Sequence, residues 1–138
     1  MEPAAPRRAL ERLRAATNTG ELDVLCARHG VRIMSVFGST AAGAENPRDL
    51  DVAVGFAPGA QVDVLGLVED LVALTGTEAV DLLVLDRADP VAKERALVGA
   101  IPLYQSEPCA YANAQMAAML ERMETDWLRR LDLEAMAR

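Results

Sequence analysis

The chain has 138 residues, with 21 acidic against 14 basic side chains and a net charge of −7. That balance excludes sequence-blind binding to nucleic acid, which needs a basic face, but not a nucleotide held through metal ions that bring their own positive charge. Half of the residues are hydrophobic and only 4% are aromatic, so Leu, Val and Ala must fill one core, and residues 1–138 read as a single domain. Cys26 and Cys109 have no metal-ligand spacing and read as small, buried, reduced thiols. No apolar run reaches the length of a membrane span, and the arginine-bearing N-terminus lacks the apolar stretch of a secretory signal. The expectation is a cytoplasmic protein that touches neither membrane nor nucleic acid directly.

In chain order, residues 1–5 read as a loose tail. Residues 6–16 have helical spacing through Leu10 and Leu13, and Arg7, Arg8, Arg12 and Arg14 suit an exposed face. A second helix is predicted over 20–29, striped by Leu22, Leu25 and Cys26. Gly30 sits where a helix-ending glycine belongs, and His29 at a helix C-terminus, where a cation is welcome. "VRIMSVF" reads as a strand, with Val31, Ile33, Ser35 and Phe37 on one face and Arg32, Met34 and Val36 on the other. A turn and short helix follow over 38–43, a loop at Asn46-Pro47, and a second strand over 49–56. Val64, Leu65, Val68, Leu71 and Val72 mark a helix over 62–74. "AVDLLVL" reads as a third strand, over 79–85. Asp89-Pro90 is a helix-start signal, for a helix ending near Gly99 in which Lys93, Glu94 and Arg95 form a solvated face. "IPLYQ" reads as an edge strand because of Pro102, and a long last helix is predicted over 108–134. Without repeats or linkers, this order predicts an α/β or α+β domain.

Three aspartates stand where strands should be apolar. Asp49 and Asp51 are two apart, so they share a face, and two carboxylates so placed repel. A divalent cation removes the conflict, and Mg²⁺ is commonly held by one or two carboxylates plus substrate phosphates. Asp81 lies in another apolar strand and joins the cluster if the two strands are neighbours. Such a set suits in-line displacement at phosphorus assisted by two ions. Gly38 and Ser39 follow a strand and open a helix, where backbone N–H groups can face a phosphate. Singly, these residues read equally well as turns and caps; as an ordered set they are far harder to attribute to chance and suit chemistry at phosphate.

"FGSTAAGAENPRDLDVAV" resembles the signature of the minimal nucleotidyltransferases of the DNA polymerase β-like superfamily: Gly-Ser, about ten residues, then Asp-x-Asp. "LCARHGVRIMSVFGS" and "VDLLVLDRADPVAKERALVGAIPLYQSEP" extend the resemblance over roughly residues 20–107, with particular likeness to antitoxins encoded beside a HEPN-domain toxin. The resemblance implies a polymerase β-like palm fold, a small mixed sheet flanked by helices. It implies Mg²⁺ at Asp49, Asp51 and Asp81, two ions when ATP is bound, and the triphosphate at Gly38, Ser39 and Thr40. It also implies transfer of AMP from ATP to a tyrosine of the partner toxin, with Asp81 helping to take the acceptor's proton. The chain departs from the family pattern at Ala42, where an arginine is usual, and in a loop one residue shorter, with Arg48 before Asp49. The alternatives are an antitoxin that neutralises by binding, and an enzyme acting on a small-molecule acceptor.

On the last helix, Met116, Leu120, Met123, Trp127 and Leu131 form one stripe. It can pack on the domain's own sheet, or form a contact with a second copy or with the toxin.

Overall fold

A computed structural model describes residues 5–137; residues 1–4, most of the expected tail, lie outside the described residues, and Ala5 already belongs to the first helix. Helices α1 (Ala5–Thr19) and α2 (Glu21–His29) precede strand β1 (Val31–Phe37). The short helix α3 (Gly38–Ala41), β2 (Leu50–Phe56), α4 (Val64–Thr75) and β3 (Val80–Val84) follow, then α5 (Pro90–Leu97), β4 (Ile101–Gln105) and α6 (Ala110–Met136). The elements expected from the sequence are all present in the expected order. One addition is a 3₁₀ turn at Leu85–Arg87, which ends the third strand earlier than expected.

The sheet order is β3-β2-β1-β4. β1 runs antiparallel to both β2 and β4, while β2 and β3 are parallel, joined through α4. The sheet is therefore mixed, with Pro102 on an edge strand as expected. Local chemistry sets the helix ends. Asp89 accepts a hydrogen bond from the Ala92 N–H at 2.9 Å, with Pro90 in the first turn of α5. Gly30 ends α2 at φ 67°, a left-handed conformation that a side chain would strain.

One face of the sheet is sealed by α1, α2 and α4. Leu13, Leu22, Met34, Leu50, Val52, Val54, Leu67 and Leu71 are fully buried there. The other face is covered by α5 and α6, where Ile33, Ala53, Leu85, Ala96, Leu97, Ala110 and Ala118 form a smaller cluster.

Three side-chain expectations need correction, and a fourth residue, His29, gains a partner. A register shift between Val31 and Ile33 places Val31 in the core on the helix α1 side with Met34 and Val36, so strict alternation fails at the start of β1. In α4, Leu65 is 69% exposed, and the buried stripe is Leu67, Leu71 and Thr75. Cys26 is buried, which pushes its thiol up to about 12; Cys109 is instead exposed, at φ 67° just before α6. His29 does end a helix, but its Nε2 also lies 2.6 Å from Asp70 Oδ2, tying α2 to α4. That bond holds the Asp70 carboxyl below the usual carboxylate range.

Helix α6 is 27 residues long, about 40 Å at 1.5 Å per residue. Ala110, Ala114 and Ala118 face the rest of the domain, and the Tyr111 hydroxyl and Gln115 Nε2 both donate to the Leu97 carbonyl. Met116, Leu120, Met123 and Trp127 are at least 60% exposed, and Leu131 43%. At 100° per residue this stripe lies on the side opposite Ala118. It does not pack on the domain's own sheet. Among the described residues no helix is long and apolar enough to cross a membrane.

Candidate functional site

The chain turns sharply where β1 ends. Phe37 pairs with Asp51 of β2, and Asp51 pairs in turn with Asp81 of β3. The two carboxylates therefore stand opposite each other on neighbouring strands, on the face covered by α5 and α6. Asp49 lies one residue before β2, at the end of the loop from α3 rather than inside a strand. The alternation of Leu50, Val52 and Val54 into the sealed core fixes which way the aspartates point.

Gly38 follows Phe37 with φ 74°. A Cβ built there would lie 2.2 Å from Asp51 Oδ2 and 3.2 Å from its Cγ. Glycine is needed for two independent reasons: the left-handed backbone, and the room the Asp51 carboxylate takes up beside it. The α3 turn is closed by the Ala42 N–H donating to the Gly38 carbonyl at 3.0 Å and the Ala44 N–H to the Ser39 carbonyl at 3.0 Å. Ser39 is exposed beside Gly38, whereas Thr40 is 4% exposed and donates its hydroxyl to the Asp49 carbonyl at 2.8 Å. Thr40 thus pins the loop that delivers Asp49. From α1, Arg7 Nη2 donates to the Gly43 carbonyl at 2.8 Å and also to the Ala44 carbonyl, so the basic face of α1 does more than meet solvent.

The electrostatics follow from this packing. Burial, then the charges of Asp81 and Asp49, push the Asp51 carboxyl above its ordinary value, while Arg95 of α5 pulls the other way. Asp49 and Asp81 are exposed. Among the described residues no group of three His, Cys, Asp or Glu side chains is spaced to hold a metal ion as it stands. The donor set is instead two facing carboxylates with a third at the loop end. This fits an ion that takes one or two carboxylates and completes its oxygen shell from substrate phosphates and water.

The sequence pattern named Asp49, Asp51, Asp81, Gly38, Ser39 and Thr40, and the fold brings them to one end of the sheet. It did not single out Phe37, which pairs with Asp51, or Arg95, which reads in sequence as part of a wet helix face. No local signal marks Arg95, because only the packing of α5 brings its charge near Asp51.

No family model and no curated protein matches the sequence. Solved structures do. A toxin–antitoxin complex with AMP-PNP contains a chain similar to this one with a TM-score of 0.66 and 17% identity, over 88% of this chain and 99% of that chain. The complex of a tri-AMPylated Shewanella oneidensis HEPN toxin with its MNT antitoxin gives 0.61 and 17%, over 88% and 97%. At such identity these two establish the fold. A structure described as a minimal nucleotidyltransferase is 38% identical, with a TM-score of 0.55, over 68% of this chain and 95% of that chain. On that identity and coverage, the chain belongs to the minimal nucleotidyltransferase family.

Proposed function

We propose that this chain is a Mg²⁺-dependent nucleotidyltransferase that moves AMP from ATP to a tyrosine hydroxyl of a HEPN-type toxin, and acts as that toxin's antitoxin. The observation that carries this reading is the row Gly38, Asp51, Asp81: a backbone pressed against one carboxylate, and a second carboxylate opposite it on the next strand. In this reading Asp49, Asp51 and Asp81 hold Mg²⁺, which when bound neutralises phosphate charge and polarises the α-phosphorus. Ser39 and the first N–H groups of α3 receive the phosphates, and Thr40 keeps Asp49 in place. Asp81, itself exposed on an edge strand, takes the acceptor's proton. The acceptor oxygen bonds to the α-phosphorus, the bond to the β-phosphate oxygen breaks, and pyrophosphate leaves.

The toxin partner is supported by two similar structures being toxin–antitoxin complexes, one with AMP-PNP and one with an AMPylated toxin. The outward stripe of α6 is the surface we assign to the toxin, because exposed apolar faces of this extent mark interaction sites and Trp127 is a suitable anchor. The deciding experiment mixes the protein, labelled ATP, Mg²⁺ and the HEPN protein encoded by the adjoining gene. Label should appear on the HEPN protein and vanish with Asp49→Asn plus Asp51→Asn. A stable complex without label would favour the second reading, neutralisation by binding, for which Ala42, an exposed alanine in place of the family's usual arginine, is the motive.

A further inference from the structure

Beside the carboxylate row lies a cavity of about 440 Å³. Its walls include Phe37, the neighbour of Asp51, and Leu83, two residues after Asp81 on the same face of β3. Arg95 from α5 and Arg129 from α6 line the cavity with Thr125. Among the described residues neither guanidinium has an ion pair or hydrogen bond. Arg32, Arg122 and Lys93, by contrast, are tied to Glu107, Asp126 and Glu121. Asp89 also lines the cavity, but its carboxylate caps α5 through the Ala92 N–H.

The α3 segment itself offers no cation. Ala42 stands where one would, and Arg7, which reaches the loop behind it, is spent on the carbonyls of Gly43 and Ala44. Two guanidiniums with free donors, beside carboxylates and on the same face, are arranged to receive an anion, because planar N–H forks match phosphate oxygens.

We infer that Arg95 and Arg129 form the clamp for the polyphosphate of the nucleotide, supplying from α5 and α6 the positive charge that α3 lacks. This rests on the nucleotidyltransferase reading and adds to it the residues that distinguish a triphosphate from a monophosphate. It also makes α6 a two-sided element, with Arg129 turned to the nucleotide and the apolar stripe turned away.

The test is calorimetry of Mg²⁺ with ATP, and of Mg²⁺ with AMP, on the wild type, Arg95→Gln, Arg129→Gln and Arg95→Lys. Both glutamine variants alter exposed side chains, and circular dichroism should show them folded. Each should bind ATP about tenfold or more weakly, the value of one charge-assisted bond, while AMP binding changes far less. Arg95→Lys, which keeps the charge, should retain more affinity than Arg95→Gln. Unchanged ATP binding in both glutamine variants, or equal losses for ATP and AMP, would overturn the clamp. So would unchanged ATP affinity with lost labelling of the toxin, which would move the arginines to the acceptor side. A wild type that fails to bind Mg²⁺ with ATP sinks the parent reading and this one together, whereas wild-type binding with indifferent variants sinks the clamp alone.

Discussion

The two faces of the sheet are built by different rules. Under α1, α2 and α4 the contacts are mainly Leu and Val, and large side chains such as Leu67 and Leu71 have no exposed surface. Under α5 and α6 many of the contacts are alanines, the cluster is smaller, and two carboxylates share the surface with the apolar residues. The first face supplies the burial that drives folding. The second has charges and open space at one end, features that stability alone would remove. The comparison teaches that a small domain can concentrate its stability on one side of a sheet and leave the other for chemistry.

The strongest way to break this division is to hollow out the sealed face. Leu67→Ala should cost about 2–5 kcal/mol, read as a lowered denaturation midpoint. Nucleotide binding by the folded fraction should be kept, since Leu67 lies across the sheet from the aspartates. If binding is lost while the protein remains folded, the two faces are coupled more tightly than the packing suggests.

Gly38→Ala attacks the open face at its tightest point. The added methyl meets Asp51 Oδ2, and the residue is held at φ 74°. A destabilisation of about 1–3 kcal/mol is expected from the backbone alone, with Mg²⁺-dependent ATP binding abolished. An alanine variant that binds ATP normally would show that the carboxylate can move aside.

Asp51→Asn should act with the opposite sign on stability. The carboxyl is raised above its ordinary value by burial and by Asp81 and Asp49. The unfolded chain therefore releases its proton first as pH rises, and wild-type stability falls from the ordinary carboxylate value up to the folded-state value. With metal chelated, the asparagine variant should be more stable than wild type above that window, and the difference should shrink in acid. Thermal melts across pH in chelator decide this; a less stable variant at neutral pH would mean that Asp51 is held by favourable contacts instead.

The smallest effect on folding is expected at α6. Trp127→Glu alters a residue that is 60% exposed, so stability should move by no more than about 0.5 kcal/mol, while the proposed association with a HEPN-type toxin should drop in light scattering. A self-associating wild type that the mutation disperses would instead assign the stripe to a second copy.

Much of this division was legible in the sequence. Strands were visible because Leu50, Val52 and Val54 alternate with other residues, and the aspartates stood out because charges interrupt apolar runs. The α3 turn was visible because a glycine followed a strand. What stayed hidden depended on partners far along the chain. The shift at Val31 and Ile33 arises in pairing with β2. The exposure of Leu65 depends on which side of α4 the sheet lies. Cys109 looked like a core residue because small apolar side chains usually are, but it falls at the backbone turn before α6. Arg95 and Arg7 could be placed only once α5 and α1 were docked, since their targets lie 44 and 36 residues away or more.

The sheet order also carries a statement about time. Its two central strands, β1 and β2, are the first two made, and both edges, β3 and β4, come later. During synthesis the middle of the sheet can pair before its borders exist, and this pairing already joins Gly38 to Asp51. Asp81 arrives only after α4 has crossed over, because parallel neighbours need such a connection, and closing longer connections is the slower step. A chain caught before that crossover should own the glycine turn and only one carboxylate of the facing pair, and so lack the site proposed for ATP. Refolding followed simultaneously by β-sheet circular dichroism and by Mg²⁺-dependent nucleotide binding should therefore show the sheet signal rising ahead of the binding signal.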